Sequence, residues 1–148
     1  MDLFTYGTLM SPEIMLKVAG CRLPSVRVIL SGYQRYLVRD EVYPGIVEAL
    51  AGEVDGMLYL DVPGEAIQRL DVFEGEMYER RVVRVRDEDG AAREAMAYVF
   101  RPQYHQNLTS LPWNFSEFIL SGRKQFEDGY HGFSELTGHA QGQSRGIS

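Results

Sequence analysis

The sequence has little cysteine and no long apolar run, and each absence narrows the class of protein. One cysteine, Cys21, stands among 148 residues. A disulfide framework and a cysteine-based metal site are therefore excluded, and Cys21 is expected to be a small buried hydrophobic residue. Because no apolar run is long and no basic segment opens the chain, we expect neither a membrane span nor a signal peptide. These absences predict a reducing, cytoplasmic location.

Basic residues are also scarce relative to acidic ones. The chain has 15 Lys and Arg against 21 Asp and Glu, a formal charge of −6. Because binding to phosphates needs clustered Lys and Arg, nucleic acid is not an expected partner. The one basic cluster comprises Arg80, Arg81, Arg84 and Arg86. Strand alternation places Arg81 on the face opposite the other three, which indicates a solvated strand surface.

The sequence offers no group of residues suited to a metal ion. Its three histidines, His105, His131 and His139, lie in the last third of the chain without ligand spacing to one another or to a carboxylate pair. Surface or loop positions suit them better. We therefore expect no metal and no organic cofactor.

Length and composition predict one globular domain. Hydrophobic residues make up 45% of the chain and charged residues 24%, which is ordinary for a globular protein. Residues 138–148 are poor in apolar side chains and are predicted to form a mobile tail after a domain at residues 1–137.

Hydrophobic periodicity and turn residues predict an α+β fold. Ser11-Pro12 and Gly20 mark the start and end of a first helix, and Gly32 marks a bulge. Strands are predicted at 3–6, 24–39, 46–50, 54–62, 78–86 and 95–101. Helices are predicted at 11–19 and 63–74, and an aromatic helix is predicted between Trp113 and Phe126. Six or seven consecutive strands with three helices favour a small mixed, largely antiparallel β-barrel with helices on its outside.

Glu74 is the carboxylate that this pattern singles out. It lies one helical turn from Leu70 and two from Ile67, on the edge of the apolar face of the second predicted helix. Gly75 fits the left-handed position that ends many helices. Burial and the negative end of the helix dipole would both raise the pKa of Glu74 from about 4.3 toward neutrality. Such a carboxyl can accept and return protons near pH 7.

A plainer interpretation of Glu74 is open at this stage. Its position alone favours a Glu in the last turn of a surface helix, pointing into solvent. The neighbouring acids Asp71 and Glu76 are both expected to be solvated, because Asp71 lies off the apolar stripe and Glu76 lies beyond the helix end.

The segment Tyr6-Gly7-Thr8-Leu9 is a candidate anion-binding loop. It follows the opening strand and turns into the first helix, which leaves the backbone N–H groups of Gly7, Thr8 and Leu9 available to a carboxylate. A tight turn without a ligand is the alternative. Tyr43-Pro44-Gly45 and Tyr78 are candidate pocket walls, although each could equally belong to the core.

Four short motifs resemble the gamma-glutamylcyclotransferase-like family, which includes the plant avirulence-induced proteins and bacterial relatives. The order and spacing of these motifs carry the resemblance: Tyr6–Leu9, Tyr43–Val47, Leu70–Gly75 and Tyr78–Arg80. It covers residues 2–101, and the aromatic segment up to Phe126 extends it.

This resemblance implies a small barrel with a cavity, a loop at Tyr6, Gly7, Thr8 and Leu9 that binds the glutamyl end of the substrate, and a catalytic Glu74. The implied reaction is a cofactor-free acyl transfer that closes a gamma-glutamyl compound to 5-oxoproline and releases an amine. The best-known branch ends its loop with Ser-Asn. Thr8-Leu9 keeps the backbone donors without the Asn side chain and is similar to the branch proposed to act on gamma-glutamylamines.

Two other functions are compatible with the same residues. One is a non-catalytic module that binds a small glutamyl-like metabolite, and the other is a hydrolase that uses water in place of the substrate's amine. The leaving group and the oligomeric state are open. Pocket shape around Tyr43, Tyr78, Tyr104 and the segment at Trp113 decides the leaving group. Whether Tyr43, Tyr78 or Arg35 lines the pocket is also open.

Overall fold

The structure is a computed structural model that describes residues 1–133 and 135–136. The tail predicted at residues 138–148 lies outside the described residues, so the domain boundary stays a prediction. Within the described part, no helix is long and apolar enough to cross a membrane.

The described residues form a closed barrel of five strands in the order β1-β3-β2-β4-β5. The strands are β1 (Leu3–Thr5), β2 (Ser25–Leu37), β3 (Pro44–Tyr59), β4 (Tyr78–Asp87) and β5 (Ala92–Phe100). Strand β1 closes the barrel by pairing parallel to β5, whereas the other neighbours pair antiparallel. The prediction of a small mixed, largely antiparallel barrel is confirmed.

The predicted number of strands is wrong, because the ranges 46–50 and 54–62 belong to one continuous strand, β3. The register between β2 and β3 shifts between Ser31 and Tyr33. These two residues of β2 are two positions apart, whereas their partners in β3, Glu53 and Glu48, are five positions apart. The extra residues of β3 form a bulge at the point where the sequence predicted a break between two strands. Gly32, which was predicted to mark a bulge, lies at this point with a φ of 88°.

Helices and short helical turns cover the outside of the barrel. They are α1 (Pro12–Ala19), α2 (Gly64–Glu74), α3 (Phe115–Glu117), a π-helical turn (Phe118–Gly122), α4 (Arg123–Gly129) and the 3₁₀ turns Thr8–Met10 and Pro102–Asn107. Both predicted ends of α1 are confirmed. The Ser11 side chain accepts a hydrogen bond from the Ile14 N–H at 3.4 Å, and Gly20 is left-handed with a φ of 82°.

Helix α2 ends at the predicted residue but in a different conformation. Gly75 has a positive φ of 83°, yet its ψ of −170° places it outside the left-handed helical region. Backbone with a positive φ and a ψ near 180° is open almost only to glycine. Gly75 thus turns the chain sharply out of the helix towards β4, immediately after Glu74.

The apolar side chains form two layers. One fills the barrel, with Phe4, Leu30, Ile46 and Leu58 among its members. The other lies between the barrel and the helices, and its members include Ile14, Met15 and Val18 of α1, Ile67, Leu70 and Phe73 of α2, and Trp113, Phe118 and Phe126. Ile119, which lies between Trp113 and Phe126 in the sequence, is 37% exposed. Cys21 is partly buried against the outer layer.

Candidate active site

A cavity of about 400 Å³, counted out to the open solvent at its mouth, lies beside the end of α2. All the residues predicted for the site line it: Tyr6, Gly7, Thr8, Leu9, Tyr43, Glu74 and Tyr78. The wall also includes Pro44 and Phe73, which belong to the sequence motifs, and residues that the sequence did not single out for the site: Phe4, Thr5, Tyr98, Phe126 and Tyr130. The catalytic and binding roles of these residues stay predictions.

Glu74 is the last residue of α2 and is partly buried at this cavity. The pKa of its carboxyl is raised to about 8, mainly by burial and in smaller part by the negative charge of Asp71. Within the described part of the chain, no side chain donates a hydrogen bond to this carboxyl. Glu74 can therefore take up or release a proton near neutral pH while facing a ligand.

Asp71 is more than the solvated residue that the sequence predicted. Its carboxylate accepts a hydrogen bond from the Tyr98 hydroxyl at 2.6 Å and pairs with Arg80 at 3.0 Å, although 42% of the side chain is exposed. Lying three residues before Glu74, it is a neighbour on the same helix. This spacing was the available signal that its charge would act on the pKa of Glu74. Glu76 is exposed, as predicted.

The loop from Tyr6 to Leu9 presents free backbone donors to the cavity. The carbonyls of Gly7 and Thr8 accept hydrogen bonds from the Met10 and Ser11 N–H groups at 3.0 and 3.1 Å, which forms the 3₁₀ turn. The N–H groups of Gly7, Thr8 and Leu9 have no acceptor among the described residues. The start of a helical turn leaves such donors unpaired, and a carboxylate is a suitable partner for them.

Packing against Pro44 explains why position 7 is glycine. Gly7 has a φ of −133° and a ψ of −132°, so it is not in the left-handed region. A Cβ atom there would lie 2.8 Å from both Cγ and Cδ of Pro44. The space that a Cβ atom would need is therefore filled by a contact within the protein.

Gly7→Ala is accordingly expected to lower the free energy of unfolding by about 1–3 kcal/mol, the usual cost of overpacking. Urea denaturation measures this change. The matched control is Gly64→Ala at the start of α2, where an added Cβ meets nothing within 4 Å. Equal stability of the two variants would show that the Pro44 contact does not constrain the loop.

Two buried tyrosines hold the inner wall through their hydroxyl groups. The Tyr6 hydroxyl donates to the Tyr98 carbonyl at 2.7 Å. The Tyr78 hydroxyl donates to the Pro44 carbonyl at 2.8 Å. Burial raises the pKa of both hydroxyls well above the ordinary value, so they remain neutral. Because both hydroxyl groups donate their hydrogen to carbonyls of the protein itself, a structural role in the wall is favoured for Tyr6 and Tyr78.

Helix α4 and the residue that follows it, Tyr130, complete the opposite wall and contact the end of α2. The Tyr130 hydroxyl donates to the carbonyls of Phe73 and Glu74 at 2.8 and 3.1 Å, which satisfies acceptors that the helix end leaves unpaired. The rings of Phe126 and Tyr130 pack edge-on against Tyr43, with centroids 6.0 and 5.1 Å apart. Nothing in the sequence around Tyr130 indicated that this residue would line the cavity.

Three other candidates lie outside this cavity. Tyr104 lines a larger adjoining groove of about 860 Å³, which shares Glu74 with the cavity. The Trp113 indole N–H donates to the Val42 carbonyl at 2.8 Å. Arg35 lies behind the loop and donates to the Tyr6 carbonyl at 2.7 Å. No group of three potential metal ligands occurs in residues 1–133 and 135–136.

This barrel, with a carboxyl at the end of its second helix, has the fold of the gamma-glutamyl cyclotransferases. A solved structure named gamma-glutamyl cyclotransferase superposes with a TM-score of 0.62 at 15% identity, over 92% of this chain and 85% of that one. Residues 3–115 match the family model "Gamma-glutamyl cyclotransferase, AIG2-like", and the chain belongs to this family.

Plant proteins are among its relatives. AIG2-like protein A of Arabidopsis thaliana is 30% identical over 144 residues, which covers 96% of this chain and 86% of the relative. A solution structure of an Arabidopsis thaliana protein is 29% identical with a TM-score of 0.67, covering 86% of this chain and 85% of that one.

Proposed function

We propose that the protein is a cofactor-free gamma-glutamyl cyclotransferase that converts a gamma-glutamyl compound to 5-oxoproline and a free amine, with Glu74 as the acid–base catalyst. One observation carries the proposal. The Glu74 carboxyl, whose pKa burial raises to about 8, lines the same cavity as the unpaired N–H groups of the loop from Gly7 to Leu9. This pairing suits a substrate with an anionic end and a proton to transfer.

The loop would bind the glutamyl end of the substrate. Its three N–H groups can donate to the α-carboxylate, as helix N-termini and backbone nests do with anions. The α-amine and the γ-carbonyl then lie toward Glu74 in a folded conformation. Because attack within one molecule needs only this orientation, positioning alone can contribute about 7–11 kcal/mol in favourable cases.

Glu74 would transfer one proton from the attacking nitrogen to the leaving nitrogen. Its carboxylate takes a proton from the α-amine as the nitrogen bonds to the γ-carbonyl carbon. The carboxylic acid then protonates the departing nitrogen as the original amide bond breaks, which regenerates the carboxylate. General acid–base catalysis of this kind contributes about 10²–10⁴-fold, most effectively when the pKa lies near the working pH.

Incubation with a panel of gamma-glutamyl compounds, followed by mass spectrometry for 5-oxoproline, tests the reaction and identifies the leaving group. A parallel panel with a blocked α-amine distinguishes cyclisation from hydrolysis. A cyclotransferase leaves blocked substrates intact, whereas a hydrolase releases the amine from both panels. A thermal shift with glutamyl ligands and no product from either panel would favour the non-catalytic binding module.

Asp71→Asn is expected to shift the rising limb of the pH–rate profile to lower pH. Removing the negative charge lowers the pKa of Glu74, so its carboxylate form is present at lower pH. Asn can still accept the Tyr98 hydrogen bond. Glu65→Gln, at the exposed start of α2, removes the same charge far from Glu74 and should leave the profile in place. An unmoved Asp71→Asn profile would exclude control of this pKa by Asp71.

A further inference from the structure

Arg35 of β2 is a largely buried cation behind the cavity loop. Only 16% of its side chain is exposed. Its guanidinium lies 5.5 Å from the Trp113 ring centroid and pairs with the Asp55 carboxylate at 2.9 Å. Nη1 also donates to the backbone carbonyl of Asp55 at 3.1 Å. These partners hold the guanidinium in one place.

The remaining contact of Arg35 reaches the loop itself. Nη1 donates to the Tyr6 carbonyl at 2.7 Å. This carbonyl belongs to the same planar peptide group as the Gly7 N–H, and in a trans peptide the two point in opposite directions. Since Arg35 holds the carbonyl from outside the cavity, the Gly7 N–H is directed away from Arg35. Gly7 lines the cavity on that other side.

We propose that Arg35 is a positioning residue for the α-carboxylate of the substrate. By holding the Tyr6 carbonyl, it fixes the orientation of the Tyr6–Gly7 peptide and presents the Gly7 N–H to the carboxylate. A charged donor on the carbonyl also polarises the peptide and makes its N–H a stronger donor. The role is an extension of the proposed function, because it assumes that the loop binds the glutamyl end.

The kinetic test compares two substrates that share a leaving group. One is the gamma-glutamyl compound, and the other is the matching 4-aminobutanoyl compound, which can close to a lactam but lacks the α-carboxylate. Arg35→Gln should lower kcat/KM for the first about ten- to a hundredfold, mainly through KM, and change it little for the second. Arg35→Lys, which keeps the charge, should recover part of the loss.

Asp55→Ala is the matched control, because it removes the ion pair and leaves the bond from Arg35 to Tyr6. It should retain the wild-type preference between the two substrates. An equal loss on both substrates in Arg35→Gln, or the same loss of preference in Asp55→Ala, would show that Arg35 only stabilises the barrel. Either result overturns the proposal.

A binding measurement tests the same role without turnover. L-Glutamate is titrated into ¹⁵N-labelled protein, and the Gly7 amide resonance is followed. The dissociation constant at Gly7 should rise about ten- to a hundredfold in Arg35→Gln and stay unchanged in Asp55→Ala. Equal affinities in wild type and Arg35→Gln, or no response of Gly7 in the wild type, would overturn the role of Arg35. Binding at Gly7 that depends on Arg35, without any 5-oxoproline, would overturn the proposed reaction alone.

Discussion

Glu74→Gln is expected to lower 5-oxoproline formation by at least a hundredfold while preserving the fold. Glutamine has nearly the same shape but cannot accept the proton of the α-amine or return one to the leaving nitrogen. Since the Glu74 carboxyl accepts no side-chain hydrogen bond among the described residues, its replacement leaves no partner unpaired. Product formation with a saturating gamma-glutamyl substrate measures the effect, and circular dichroism checks the fold.

The control for this variant is Glu65→Gln, which changes the same residue type at the exposed start of the same helix. It should retain wild-type activity. Substantial turnover by a folded Glu74→Gln would remove Glu74 from the acid–base role. Binding of a gamma-glutamyl compound by Glu74→Gln, with turnover lost, would show that the loop binds the glutamyl end independently of the base.

Glu74→Gln is also expected to stabilise the protein above neutral pH. The folded state raises the pKa of Glu74 from 4.5 to about 8, so it favours the protonated carboxyl. Below pH 4.5 both states are protonated and the residue carries no penalty. As the pH rises towards 8, the unfolded state ionises first and the wild type loses stability by up to about 1.4 kcal/mol per pH unit. Glutamine avoids this loss.

The free energies of unfolding of the two proteins should therefore coincide near pH 4.5 and diverge up to pH 8. The variant should then be more stable by roughly 2–5 kcal/mol, the upper figure being the full pKa shift converted to energy. Urea denaturation at intervals from pH 4.5 to 9 measures the difference. A constant difference across this range would mean that Glu74 has an ordinary pKa in the folded protein.

Most of the fold was predictable from local signals, because each of them depends only on residues that are close in the sequence. The Ser11 cap and the Gly20 end of α1 both follow from short-range chemistry. The continuity of strand β3 could not be predicted in this way. Its bulge depends on pairing with β2, and the residues of the bulge resemble a turn in the sequence. Gly75 ends α2 for the predicted steric reason, in a conformation that the sequence does not specify.

The candidate site was predictable where its residues belong to local motifs and not where it depends on distant contacts. The loop and Glu74 follow from a turn and a helix end. The Tyr98 bond to Asp71 and the Tyr130 bond to the end of α2 join residues 27 and 57 positions apart. Arg35 approaches Tyr6 across 29 positions. Such pairings arise only once the barrel has closed.

The two walls of the cavity come from separate parts of the chain. The family model matches residues 3–115, which include the loop and Glu74, whereas Phe126 and Tyr130 come after that range. A chimera that takes a relative's sequence after residue 115 would therefore keep the loop and Glu74 and replace the wall formed by Phe126 and Tyr130, without any change to the strands of the barrel.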